Sequence, residues 1–121
     1  ARGEPFRAAS DLVVSPAYVP HLTATALDLL IDGEHGLWHL ANQGALSWAA
    51  FATGIADSLG LPATLVQPTP AAEFGFAARR PAFAALATQR GAALPLLDTA
   101  MTDFAARYGR QRASRSEDVA A

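Results

Sequence analysis

The sequence predicts an α/β domain, a small mixed sheet carrying three to four helices. Three observations lead there. Short apolar runs of strand length alternate with longer segments of helical period. Glycine and proline punctuate the boundaries between them. A chain of 121 residues that is 51% apolar is long enough for one domain with a modest core. The order reads β-α-β-α-β, then an element that is either strand or helix, then α.

The elements follow in chain order. Residues 1–10 are an N-terminal segment that begins at "ARGEPF" without an initiator Met, and they read as a truncation point. "DLVVSP", Asp11 to Pro16, is a short strand, since the residue before a proline favours extended backbone. "YVPHLTATALDLLIDG" is a helix. Pro20 suits its first turn, Leu22, Ala26, Leu29 and Leu30 share a face, and Gly33 stops it. "HGLWHLAN", His35 to Asn42, reads as a mostly buried strand, with Leu37 and His39 on one side and Trp38 and Leu40 on the other. "NQG" turns the chain. "SWAAFATGIADSLG" is the clearest helix: Ser47 is its N-cap, and Trp48, Phe51, Ala52, Ile55 and Leu59 form its apolar stripe. Gly54 inside it costs about 1 kcal/mol relative to alanine, so a close contact is expected there. "ATLVQ", Ala63 to Gln67, is a strand, followed by the proline-rich loop "PTPAAEFG". "AFAAL", Ala82 to Leu86, is strand or helix, because alanine blurs the distinction. "LPLLDTAMTDFAARYG" closes with a helix N-capped by Asp98 and buried through Leu97, Met101, Phe104, Ala105 and Tyr108. Residues 110–121 are polar and aperiodic and read as a disordered tail, leaving 11–109 as the folded domain.

Composition removes several chemistries. Cysteine is absent, which excludes disulfides and thiolate chemistry and fits a reducing, cytoplasmic setting. All nine basic residues are arginine, so neither a P-loop lysine nor a Schiff-base lysine exists in this chain. A net charge of −2 gives no basic surplus for nucleic acid, and no apolar run approaches a membrane span. His35 and His39 are four apart, but Gly36 and the strand pattern spoil a helical metal pair. Ser47 is accounted for as a cap. An apolar strand such as "GLWHLA" wants neighbours on both edges, and three or four short strands do not supply them. The sheet is therefore expected to be completed from outside the chain.

One stretch stands apart. "EFGFAARRPAFAAL" sets Arg79 and Arg80 side by side before a proline in apolar surroundings. On spacing alone the pair reads as a solvated turn; its other reading is an anion site.

"VVSPAYVPHL", "GLWHLANQGALSWAAFA" and "AARRPAFAAL", followed by a closing helix, fall in an order and spacing that resemble a known family. They are similar to the C-terminal part of dTDP-4-dehydrorhamnose reductase-like proteins, which are extended short-chain dehydrogenases. The family pattern runs roughly "GSPTYVxDLA", "GIYHLAGxGxxSWYEFA" and "ARRPxxSxLD". The resemblance covers about Asp11 to Tyr108. It implies a substrate-binding domain that closes over a nucleotide-sugar, with the Rossmann half, NAD(P)H and the Tyr-x-x-x-Lys pair lying upstream. No cofactor site and no catalytic residue is expected in this chain itself. The resemblance puts one of Arg79 and Arg80 near the substrate's diphosphate, where a guanidinium fork matches phosphate oxygens. Ser15 and Tyr18 would line the cleft, with a turn hydroxyl and a half-buried aromatic as their plainer reading.

The departures from the pattern are specific. Val14 replaces the family's Gly, Ala17 its Thr and His21 its Asp; Ala84 and Ala87 replace its Ser and acid. Polar partners are lost while the apolar framework persists. This leaves a second reading open, a non-catalytic interaction or regulatory module on the same scaffold, or a domain fused to another carbohydrate enzyme. Without the Rossmann half, exposed apolar surface would drive the isolated chain into a homo-oligomer.

Overall fold

The computed structural model describes residues 4–91 and 93–120, with side chains up to Arg110. Residues 1–3 of the N-terminal segment and the side chains of the polar tail lie outside the described residues. Seven short strands and three α-helices form among the described residues: β1 (Phe6–Ala9), β2 (Val13–Val14), α1 (Val19–Ile31), β3 (Asn42–Gln43), β4 (Leu46–Ser47), α2 (Trp48–Ser58), β5 (Val66–Thr69), β6 (Phe83–Ala84), β7 (Leu94–Leu96) and α3 (Leu97–Ala120).

The α/β class holds, but the sheet is divided into three pieces. β1 runs parallel to β5, with Phe6 opposite Val66 and Ala9 opposite Thr69. β2 lies between antiparallel β4 and parallel β6. β3 pairs in parallel with β7. The small core sits where α2 covers the first pair: Ala8, Ala49 and Val66 are buried together with Ala52 against them. Leu94, Leu97 and Ala100 are buried as well, where β7 runs into α3.

The two helices with the clearest sequence signals form as expected. α1 carries Pro20 in its first turn, and Gly33 takes a φ of +69° just beyond its end. Ser47 caps α2, its hydroxyl accepting from the Ala50 amide at 3.1 Å. The glycine inside α2 has its close contact. A Cβ on Gly54 would stand 3.0 Å from Met101 Sδ of α3. Gly54→Ala should therefore change stability little, the helix gain of about 1 kcal/mol being offset by crowding. In a Met101→Ala background the full gain, on the order of 1 kcal/mol, should appear. Thermal denaturation of the four proteins of this cycle checks it; equal effects in both backgrounds would remove Met101 as the reason for the glycine.

Several expectations need correction. A strand forms at Phe6–Ala9, in the segment read as a truncation point. Of "HGLWHLAN" only Asn42 enters a strand. An extended apolar run stays a strand only when its backbone groups find a partner edge, and none pairs with it among the described residues. Arg90 takes up the carbonyls of His35 at 2.9 Å and Leu37 at 3.3 Å instead. Leu37, expected to be buried, is 78% exposed. Ala63–Leu65 is a 3-10 turn, so the following strand starts at Val66. The loop "PTPAAEFG" contains a second such turn, Ala71–Phe74. "AFAAL" resolves to strand. α3 starts at Leu97, so Asp98 stands in its first turn rather than at the cap. Its backbone continues as helix to Ala120, through the segment read as a tail. On α2 the buried positions are Ala49 and Ala56, while Trp48 remains exposed and Phe51 and Ile55 half-buried. The three small sheets are too narrow to cover the bulky stripe, which lines grooves instead.

Candidate functional site

Two grooves flank α2. The larger, about 830 Å³, opens between α2, β1 and the loop after β5. Phe6, Trp48, Phe51, Phe74 and Phe76 contribute its apolar surface, and Arg7 and Arg80 are the charged residues on it. The smaller, about 600 Å³, lies between the start of α1, α2 and α3, and carries Tyr18, Tyr108 and Arg107. Phe51 and Ile55 face both.

The four residues singled out from sequence are therefore not brought together. Arg80 lies on the larger groove, its guanidinium carbon 5.5 Å from the centre of the Phe76 ring. No carboxylate pairs with it among the described residues. Arg79 is exposed and lines neither groove. Tyr18 lines the smaller groove, with its ring edge-on to His21 at 4.9 Å. Ser15 is half-buried and accepts from the Leu86 amide at 2.7 Å. That bond extends the β2–β6 pairing beyond its last ladder residue, so Ser15 has a structural task.

The reading missed two features. The first is Arg7. It stacks 4.9 Å over Phe74, donates to the Glu73 carbonyl at 3.0 Å and lies 3.6 Å from the Glu73 carboxylate. An isolated arginine in "EPFRAA" carries no local pattern, and only the β1–β5 pairing brings it to the groove. The second is a polar relay that begins at the buried Asn42, 1% exposed, and runs out to the exposed Asp103. Its Oδ1 accepts from the Tyr18 amide at 2.7 Å, and its Nδ2 donates to the Pro95 carbonyl at 2.8 Å. Those two bonds fix the amide's orientation, so Nδ2 also faces His21 Nδ1 at 3.1 Å. An amide N–H must meet a bare nitrogen there. His21 consequently carries its proton on Nε2 and donates it to Asp103 Oδ2 at 3.0 Å. Both ring nitrogens have hydrogen-bond partners, so the His21–Asp103 pair ties α1 to α3. His21 was legible as a departure from the family pattern, but its partners were not.

Among the described residues no group of three His, Asp or Glu is placed to hold a metal, and no helix is long and apolar enough to cross a membrane. Nor do they fit a dinucleotide. The left-handed glycines, such as Gly33 and Gly60, follow helices or stand in loops, and the residues before α1, α2 and α3 are Tyr18, Ser47 and Leu96. Among the described residues no glycine-rich turn leads into a helix N-terminus to cradle a pyrophosphate.

The fold matches solved dTDP-4-dehydrorhamnose reductases over 84% of the chain. The Bacillus anthracis enzyme, solved in complex with NADP, aligns with a TM-score of 0.77 and 26% identity, over 37% of that chain. The Clostridium acetobutylicum protein aligns with a TM-score of 0.75 and 22% identity, over 38% of that chain, which speaks to the fold alone. Among curated relatives, the spore coat polysaccharide biosynthesis protein SpsK of Bacillus subtilis is 36% identical over 67% of this chain and 28% of its own length. A probable low-salt glycan biosynthesis reductase of Haloferax volcanii, Agl14, is 30% identical over 67% of the chain and 27% of its own length. The chain thus spans less than a third of those relatives. The model of the RmlD substrate binding domain family matches residues 1–105, and the chain belongs to that family.

Proposed function

We propose that this chain holds a nucleotide-sugar for an NAD(P)-dependent reductase whose cofactor and catalytic groups lie on other parts of the polypeptide, and that alone it turns nothing over. The observation that carries the reading is Arg80, a guanidinium without a carboxylate partner among the described residues, beside an apolar groove large enough for a nucleotide. A diphosphate takes the bidentate donors, and the aromatic walls take a base or sugar face. Calorimetric titration with dTDP-glucose is expected to show saturable binding that thymidine and free glucose do not reproduce. Silence from every nucleoside diphosphate-sugar tried would end the reading, and so would keto-sugar reduction by this chain alone with NADPH.

A second part of the proposal concerns the partner. α1 buries none of its residues, although it carries Leu30 at 73% and Ile31 at 82% exposure, with Leu37 exposed shortly after it. The indole N–H of Trp38 is buried with no acceptor among the described residues. An apolar helix face beside an unpaired extended segment matches what a sheet edge would cover. We assign this face to the remaining, Rossmann-type part of the protein. Without it, two copies should cover it for each other, as a dimer or a swapped assembly. Light scattering that finds only monomer at high concentration would count against this.

A further inference from the structure

The geometry points to Phe76, backed by Phe74 and Arg7, as the positioning residue that aims Arg80 at the anion; this rests on the nucleotide-sugar reading above. Four side chains form one continuous stack at the edge of the larger groove. Arg7 lies over Phe74 at 4.9 Å, Phe74 and Phe76 are stacked 5.4 Å apart with planes 3° from parallel, and Arg80 lies over Phe76 at 5.5 Å. The two rings are two residues apart, across Gly75 in the left-handed region at φ +63°. That backbone state closes the turn Ala71–Phe74 and presents both rings face to face.

The ends of the stack are electrically different. Arg7 is tied to the Glu73 carboxylate and carbonyl, which fixes that end and offsets its charge. Arg80 lies over the ring face and has no ion pair or side-chain hydrogen bond among the described residues, which leaves its N–H donors, lying in the guanidinium plane, available to an incoming ligand. A ring under a guanidinium holds the plane without consuming its donors, so less side-chain freedom is lost when an anion arrives. Arg79, one residue earlier, has no such support among the described residues. The stack is thus a physical reason for choosing between two adjacent arginines.

The test uses the whole chain and dTDP-glucose as probe, with inorganic pyrophosphate as a second arm to separate diphosphate recognition from recognition of the nucleotide. Phe76→Leu is expected to weaken dTDP-glucose binding about two- to five-fold, the size of an exposed cation–π contact, and Phe76→Tyr to restore it. In an Arg80→Ala background Phe76→Leu should have no further effect, which a merely structural role of the ring would not produce. In the free protein, the Arg80 side-chain protons should show a ring-current shift by NMR that Phe76→Leu removes. If Arg80→Ala weakens binding but Phe76→Leu does not, or acts equally in both backgrounds, the positioning role is overturned and the binding reading stands. If the wild-type chain binds neither probe, both are overturned.

Discussion

Asn42→Leu is expected to destabilise the chain by roughly 2–4 kcal/mol, because groups that lose a partner in a buried site cost about 1–3 kcal/mol each and Pro95 is partly open to solvent. The substitution is close in volume, so packing is nearly conserved and the loss comes from hydrogen bonds. Three partners are left at once: the Tyr18 amide at the start of α1, the Pro95 carbonyl in β7 and His21 Nδ1. Asn42→Asp separates them. It keeps an acceptor for the Tyr18 amide but sets a carboxylate oxygen against the Pro95 carbonyl, and it invites a proton onto His21 Nδ1. Denaturant unfolding measures both variants, and nitrogen NMR of His21 should move from the Nε2–H tautomer only in the aspartate variant. A loss below about 1 kcal/mol for Asn42→Leu would mean that the relay is not a fastening point between α1, β7 and α3.

Arg80→Ala should weaken nucleoside diphosphate-sugar binding by roughly 1.5–3 kcal/mol, the scale of a charge-assisted hydrogen bond. That is about ten- to a hundred-fold or slightly more in affinity. Arg79→Ala should change affinity far less, by the few tenths of a kcal/mol expected of an exposed charge near an anion. Raising the salt should shrink both effects, because both guanidiniums are exposed. Calorimetry on the two single variants decides the matter. Equal losses from both would dissolve the distinction drawn from the groove.

What could be read from the sequence divides by range. The paired arginines were legible as a feature, and the family resemblance named an anion for one of them. Which one was not legible. Adjacent residues in a loop differ in direction by backbone torsions that carry no compositional signal, and the proposed choice of Arg80 rests on Phe76 and the left-handed turn at Gly75. Tyr18 was singled out as lining the cleft, with a half-buried aromatic as its plainer reading; it is half-buried and lines the smaller groove, on the other side of Phe51 and Ile55. Ser15 read as either a cleft hydroxyl or a turn hydroxyl, and its bond to the Leu86 amide favours the second. Asn42 went unnoticed because an asparagine after an apolar run and before a glycine looks like ordinary turn chemistry.

By itself the sequence determined the α/β class, the existence and caps of α1 and α2, and the close approach at Gly54. These depend on contacts three or four residues apart or on single backbone states, so a local pattern suffices. Only the tertiary structure decided which strands pair, that "GLWHLA" stays unpaired, that Arg7 joins the Arg80 groove, and that His21 and Asp103 meet across 82 residues of chain. Strand pairing and buried polar bonds are made between distant segments, and their free energy depends on the partner being present. In "GLWHLA" the strand pattern is in the sequence, while no strand pairs with it among the described residues.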